Sequence, residues 1–153
     1  MSEPSVLFVC LGNICWSPLA EAALRAAVAG AGLGVTVDSA GTGHWHVGQP
    51  PDRRAQAEAA RHGIDISAYR ARQVRAEDFD RFSHICALDH QNLADLRALA
   101  PAGARASLCL LLDYVPSLMG ESVPDPYWGV AEDFADCWRL VSLGAQGLVR
   151  VLG

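Results

Sequence analysis

The residues of this chain best suited to chemistry stand together in Cys10-Leu11-Gly12-Asn13-Ile14-Cys15-Trp16-Ser17-Pro18. A cysteine attacks as its thiolate, and a thiolate is favoured where N–H dipoles point at it. The flanking residues supply that setting. Val6-Leu7-Phe8-Val9, led in by Ser5, reads as a short buried strand. Leu19, Ala20, Ala22, Ala23, Leu24 and Ala27 follow at helical spacing. Ser17 is placed to cap that helix, and Pro18 suits its first turn, where the missing N–H is not needed. Gly12 and Asn13 tolerate the left-handed backbone that turns successive N–H groups inward. A thiol at a strand end, a tight loop and a facing helix N-terminus make an anion cradle. The stretch therefore predicts a phosphate pocket with a built-in nucleophile, Cys10, against the alternative of a buried structural thiol.

The rest of the chain supplies elements that position such a loop. The first helix is expected over about Pro18–Ala29, ended by Gly30, Gly32 and Gly34, and a second strand over Val35–Ala40. A turn-rich segment runs from Gly41 to Pro51. Asp52 is placed to cap a helix from Arg53 to about His62, which Gly63 ends. Glu77–Arg81 reads as a helical turn, His84–Leu88 as the third strand, and Leu108–Leu112 as the fourth. Between those strands, Asp89 caps a helix stopped by Pro101. Asp113–Gly129, with Pro116, Pro124 and Pro126, is expected to lack regular structure, and Ala131–Leu152 to form a last helix. Strands alternating with helices predict an α/β fold: an open parallel four-stranded sheet flanked by helices on both faces, in a single domain over residues 1–153. Ligands of such sheets sit beyond the carboxyl ends of the strands. The Cys10 loop, the segment from Ser39, Asp89 and the Asp125 loop all fall there.

Composition narrows the class. The chain has 153 residues, 51% of them apolar, and a net charge of −5, which fits a globular domain with a real core. No apolar run reaches membrane-spanning length, and Met1–Cys10 lacks the basic start of a signal peptide, so neither a membrane partner nor secretion is expected. No basic stripe suggests nucleic acid. All twelve basic residues are arginine, a bias from which no function follows. The five cysteines, Cys10, Cys15, Cys86, Cys109 and Cys137, match neither a disulfide framework nor a zinc site. Cys86 and Cys109 read as buried strand residues, and a reducing cytoplasm is the expected compartment. No cofactor and no metal is implied.

VLFVCLGNICWSPLAEA resembles the active-site loop of the low-molecular-weight protein tyrosine phosphatases, which reads C-x5-R-S. Val123-Pro124-Asp125-Pro126-Tyr127-Trp128-Gly129 matches that family's D-P-[FYW] loop, 115 positions after Cys10. Pro50-Pro51-Asp52, His62-Gly63-Ile64, Arg70-Ala71-Arg72-Gln73 and Asp78-Phe79 extend the match toward the last helix. The resemblance implies hydrolysis of phosphotyrosine or a small aryl phosphate. Cys10 attacks phosphorus, a cysteinyl phosphate forms, and water releases inorganic phosphate. Asp125 would be general acid and then general base. Ser17 would hydrogen-bond the thiolate, and Asn13 would tether the loop, though a plain turn role for Asn13 is as good a reading. Ser39 and Asp89 would brace the loop from neighbouring strands. Tyr127 and Trp128 would wall an aryl ring. Trp45 is either the facing wall or a loop anchor. Cys15 is either a redox partner of Cys10 or a small packing residue. No histidine stands near Ser67-Ala68-Tyr69-Arg70, where many members carry a bracing one.

One departure matters most. Trp16 stands where the family has the arginine that grips phosphate through paired, charge-assisted bonds. Indole has one N–H and no charge, so phosphatase activity is expected to be severely reduced or lost, and the Cys10 pKa to rise. Trp16 is a recent or deliberate substitution, the mark of a binding-only descendant, or is compensated by Arg53 or Arg54. Retention of Cys10, Cys15, Ser17 and Asp125 favours the first account. The rival functions are a phosphate- or phosphotyrosine-binding module without turnover and a thiol-dependent arsenate reductase, which needs further accessible cysteines. The oligomeric state is left open.

Overall fold

The computed structural model of the protein describes residues 3–127 and 129–153. Strand β1 (Ser5–Cys10) lies between β2 (Thr36–Gly41) and β3 (His84–Ala87), and β4 (Ser107–Leu110) completes the sheet in the order β2-β1-β3-β4, every pairing parallel. Val6, Leu7, Phe8 and Val9 are fully buried, which is why β1 is a continuous apolar run: a central parallel strand is covered on both faces.

Helices α1 (Trp16–Ala31) and α5 (Ala131–Leu152) cover one face, meeting Val6, Phe8, Cys10, Cys86 and Leu88. The short α3 (Asp78–Arg81) and α4 (His90–Leu99) cover the other, where Phe79, Phe82, Leu93 and Leu96 meet Leu7, Val9 and Ile85. Helix α2 (Arg53–Arg61) packs beside α5. Asp52 caps α2 through the Arg54 N–H (2.8 Å), and Asp89 caps α4 through the Asn92 N–H (2.8 Å). Gly32, at φ +68°, closes α1. Strand order reverses at β1, so its carboxyl end opens the crevice where α/β sheets hold ligands. Among the described residues no helix is long and apolar enough to cross a membrane.

The structure corrects three local expectations. Helix α1 starts at Trp16, preceded by Cys15 with no side-chain cap. Ser17 is therefore inside the first turn and its hydroxyl turns toward Cys10 instead of capping. Strand β4 stops at Leu110, so Leu111 and Leu112, expected in the strand, join a 3-10 turn over Leu111–Tyr114, and Pro116–Leu118 form another where irregular structure was expected. Pro116 starts its turn, where proline needs no N–H. Cys109 is half-buried instead of fully buried, with its Sγ 3.2 Å from the Tyr114 hydroxyl.

The end of β2 presses on the loop after β1. Thr42 N–H bonds Cys10 O (2.9 Å) and Gly43 N–H bonds Leu11 O (2.9 Å). A Cβ on Gly41 would lie 2.7 Å from Leu11 O and 3.3 Å from Asn13 Cβ, whereas one on Gly30 would meet nothing within 4 Å. Gly41→Ala is thus expected to destabilise the fold by about 1–3 kcal/mol. Gly30→Ala should stabilise it by up to ~1 kcal/mol. Urea unfolding of both variants checks the pair; equal effects would mean the contact at Gly41 is slack.

Candidate active site

The Cys10 thiol is held by a chain of buried polar groups that starts at one unusual backbone position. Asn13 has φ +59°, the one positive φ outside glycine among the described residues. That conformation turns its N–H onto Cys10 Sγ (3.2 Å). Its side-chain amide donates to Ser17 Oγ (2.8 Å) and Ser39 Oγ (3.0 Å), while its Oδ1 accepts from the Arg72 N–H (3.0 Å). Asn13 thus ties the loop to α1, to β2 and to the segment before α3, which is more than a turn residue does. Ser17 Oγ lies 3.0 Å from Cys10 Sγ. The Ser39 hydroxyl donates to Glu21 Oε1 (2.7 Å), and Glu21 Oε2 pairs with Arg25 (2.8 Å). Cys10, Asn13, Ser17, Ser39 and Glu21 are all buried. Burial pushes the Glu21 carboxyl above the usual carboxylate range, against Ser39 and Arg25, which pull it down.

Burial also dominates at Cys10. It raises the thiol pKa, the hydrogen bonds from Ser17 and Asn13 lower it, and the nearby Asp125 charge raises it further. The net direction is up, so loop dipoles alone do not make the thiolate the resting form. Cys15 is likewise raised, first by burial and then by Asp52 and Cys10. Both residues are free thiols.

Trp16 is buried, and its indole N–H donates to Pro124 O (2.9 Å). That single bond ties the start of α1 to the loop carrying Asp125. Val123 N–H bonds Leu88 O (2.9 Å), anchoring the same loop to the end of β3. Asp125 sits at the exposed rim, with Oδ1 accepting from the Tyr127 N–H (2.9 Å). Its carboxyl is raised by partial burial and by the Asp89 charge, against that hydrogen bond. Asp89 reaches the site through charge; its hydrogen bond goes to its own helix, with none to the Cys10 loop among the described residues. Cys10, Trp16, Trp45, Asp125 and Tyr127 line one cavity of about 280 Å³. Trp45 is 62% exposed, so it stands over the mouth rather than anchoring its loop in the core. Trp128 lies outside the described residues.

No arginine lines this cavity among the described residues. Arg54 is committed elsewhere. Its guanidinium pairs with Asp52 (3.0 Å), donates to Tyr127 O (2.9 Å) and Gly129 O (2.9 Å), and lies over the Phe134 ring. It clamps the acid loop from outside, and Arg53 is exposed on α2. No group of three or more His, Cys, Asp or Glu side chains is arranged to hold a metal among the described residues. Sequence reasoning missed Glu21 and His46, which lines the cavity, and offered Arg54 as a phosphate partner where it instead holds the acid loop. Their positions after a strand end or on the first turns of α1 and α2 were visible, but their partners are distant in the chain.

A buried thiol at a parallel strand's carboxyl end, an inward-turned loop and a carboxyl on a facing loop thus meet at one cavity, an arrangement suited to thiol-based phosphoryl transfer. The chain belongs to the low molecular weight phosphotyrosine protein phosphatase family, which it matches over residues 5–153. It is 45% identical to a low molecular weight protein-tyrosine-phosphatase of Streptomyces coelicolor, covering 96% of this chain and 92% of that one. The crystal structure of YfkJ from Bacillus subtilis superimposes with a TM-score of 0.91 at 41% identity, covering 99% of this chain and 95% of that one. A Drosophila protein described as an arginine phosphatase superimposes with a TM-score of 0.90 at 32% identity, covering 95% and 96% of the two chains.

The raised Cys10 pKa sets a reactivity pattern. Alkylation of Cys10 by iodoacetamide should be slow at pH 7 and accelerate steadily toward pH 9. Trp16→Arg, by adding a cation, should speed the pH 7 reaction at least tenfold. Peptide mapping of the labelled thiol checks both, and a rate flat from pH 6 to 9 would mean that the thiolate is already formed.

Proposed function

We propose that this chain hydrolyses phosphotyrosine or small aryl phosphate monoesters through Cys10 and Asp125, at a rate strongly reduced by Trp16. The observation that carries the reading is the state of residue 16. The nucleophile, its hydrogen-bond partners and the acid are assembled, while the indole N–H that could meet phosphate is committed to Pro124 O.

In the first step Cys10 Sγ attacks phosphorus, and the aryl oxygen leaves with the Asp125 proton. The raised Asp125 pKa favours the protonated form this step needs. Trp45 and Tyr127 flank the departing ring. In the second step water attacks the cysteinyl phosphate, returns a proton to Asp125, and frees inorganic phosphate and the Cys10 sulfur. Ser17 stabilises the sulfur as leaving group through its 3.0 Å contact. The missing part is charge on the equatorial oxygens. Two charge-assisted hydrogen bonds at ~1.5–3 kcal/mol each correspond to about two to four powers of ten in rate. The raised Cys10 pKa adds to the loss, and favours, as a second reading, a phosphate-binding module without turnover. An arsenate reductase has less support, because Cys86 is fully buried. Five unpaired thiols fit a reducing compartment, the cytoplasm.

The test is kcat/KM on an aryl phosphate near pH 6 for the native chain and Trp16→Arg, with Cys10→Ser as the blank in each. A gain of two or more powers of ten is expected from the arginine. Full turnover by the native chain would overturn the account of Trp16, and no turnover by either would leave the binding module as the better reading.

A further inference from the structure

A phosphate pocket without an arginine still needs a positive partner, and the cavity contains one basic side chain among the described residues, His46. It belongs to the loop after β2 and was not singled out by the sequence. Its ring lies on the Cys10 loop: a Cβ on Gly12 would come 2.9 Å from His46 Cδ2 and 3.7 Å from Nε2. Nδ1 is 2.9 Å from Gln49 Oε1. A carbonyl oxygen accepts, so this bond assigns the Nδ1 proton and leaves Nε2 as the nitrogen facing the loop. The N–H groups of Gly12, Ile14 and Cys15 make no backbone hydrogen bonds among the described residues. The ring therefore sits beside N–H groups that are available to an anion.

We propose that His46 is the phosphate-facing cation of this site, its Nε2–H supplying beside Gly12 the charge that Trp16 does not. The inference rests on the reading of the cavity as a phosphate monoester site. Imidazole takes up its proton within the range pH 5 to 8, so the grip is conditional on pH, unlike that of a guanidinium. The groups facing the ring are the Gln49 amide at Nδ1 and, around the cavity, Asp125, Cys10, Cys15 and Tyr127; His44 lies two residues away on the same loop. No arginine shares the lining with His46 among the described residues. Gln49 holds the ring in place as the partner of a ligand-binding histidine does, fixing which nitrogen is presented.

Calorimetry with benzylphosphonate, which cannot be hydrolysed, and with p-cresol as the uncharged ring tests this. The proteins are the native chain, His46→Gln, Trp16→Arg and the double variant. At pH 6, His46→Gln should weaken benzylphosphonate at least tenfold in the native chain and less than twofold beside Trp16→Arg, with p-cresol unchanged. The ratio of native to His46→Gln affinity should grow as pH falls from 8 to 6, because only the imidazole gains charge between the two proteins. An unchanged phosphonate affinity, an equal loss of p-cresol, a ratio constant with pH, or no native binding at millimolar phosphonate would each overturn the role. Turnover by Trp16→Arg, measured separately, judges the phosphatase reading itself, so the two failures are distinguishable.

Discussion

The left-handed backbone at Asn13 is the constraint from which the site is built. Turning that one residue aims its N–H at the Cys10 sulfur and leaves its side chain free to bond two hydroxyls and one backbone N–H at once. Each partner comes from a different element: Ser17 from α1, Ser39 from β2, Arg72 from the segment leading to α3. A buried network of this kind is stable when every member is satisfied and costly when one is not. The loop geometry and the packing of α1 against the sheet therefore stand or fall together. Glu21 and Arg25 extend the network to the surface, so its far end meets solvent through a charge rather than through an unpaired hydroxyl.

Electrostatics around this framework are unusual for a pocket that handles anions. Burial, Asp125 and Asp89 all act against negative charge, and no arginine lines the cavity among the described residues. Arg54 and Trp16 both hold the acid loop, one through Tyr127 and Gly129 carbonyls, the other through Pro124. Residue 16 is thus a loop clasp here, where the family pattern read from the sequence has a ligand-facing charge. An indole N–H is too short and too neutral to serve both ends. In the proposed reaction Cys10 and Asp125 share the cavity, while residue 16 brings no charge for electrostatic stabilisation of the transferring group. That stabilisation is commonly the largest single contribution to catalysis.

Much of this was legible in the sequence. An unbroken apolar β1, helical spacing after Pro18, and aspartates before α2 and α4 are local signals, and local physics decides them. The parallel sheet followed from alternation of strands and helices. The family resemblance pointed to Cys10, Asp125 and the missing arginine. Local reasoning failed where a side chain had two possible partners. Ser17 is a good cap by type, yet its hydroxyl serves Cys10 because α1 begins two residues earlier than a Ser17 cap would set it. Cys109 reads as core, yet β4 is an edge strand and the following 3-10 turn brings Tyr114 to it.

What the sequence by itself determined is the order of elements, the candidate nucleophile at the end of β1 and the absence of an arginine at position 16, because these depend on residue type and short spacing. Only the tertiary structure decided the burial that dominates the Cys10 pKa, the binding of Trp16 to a carbonyl 108 positions away, the assignment of Arg54 to the acid loop and the placing of His46 over Gly12. The physical reason is that desolvation and hydrogen-bond choice are properties of the folded surroundings. A thiol, an indole or a guanidinium carries the same chemistry anywhere in the chain, and the packing around it selects which part of that chemistry is used.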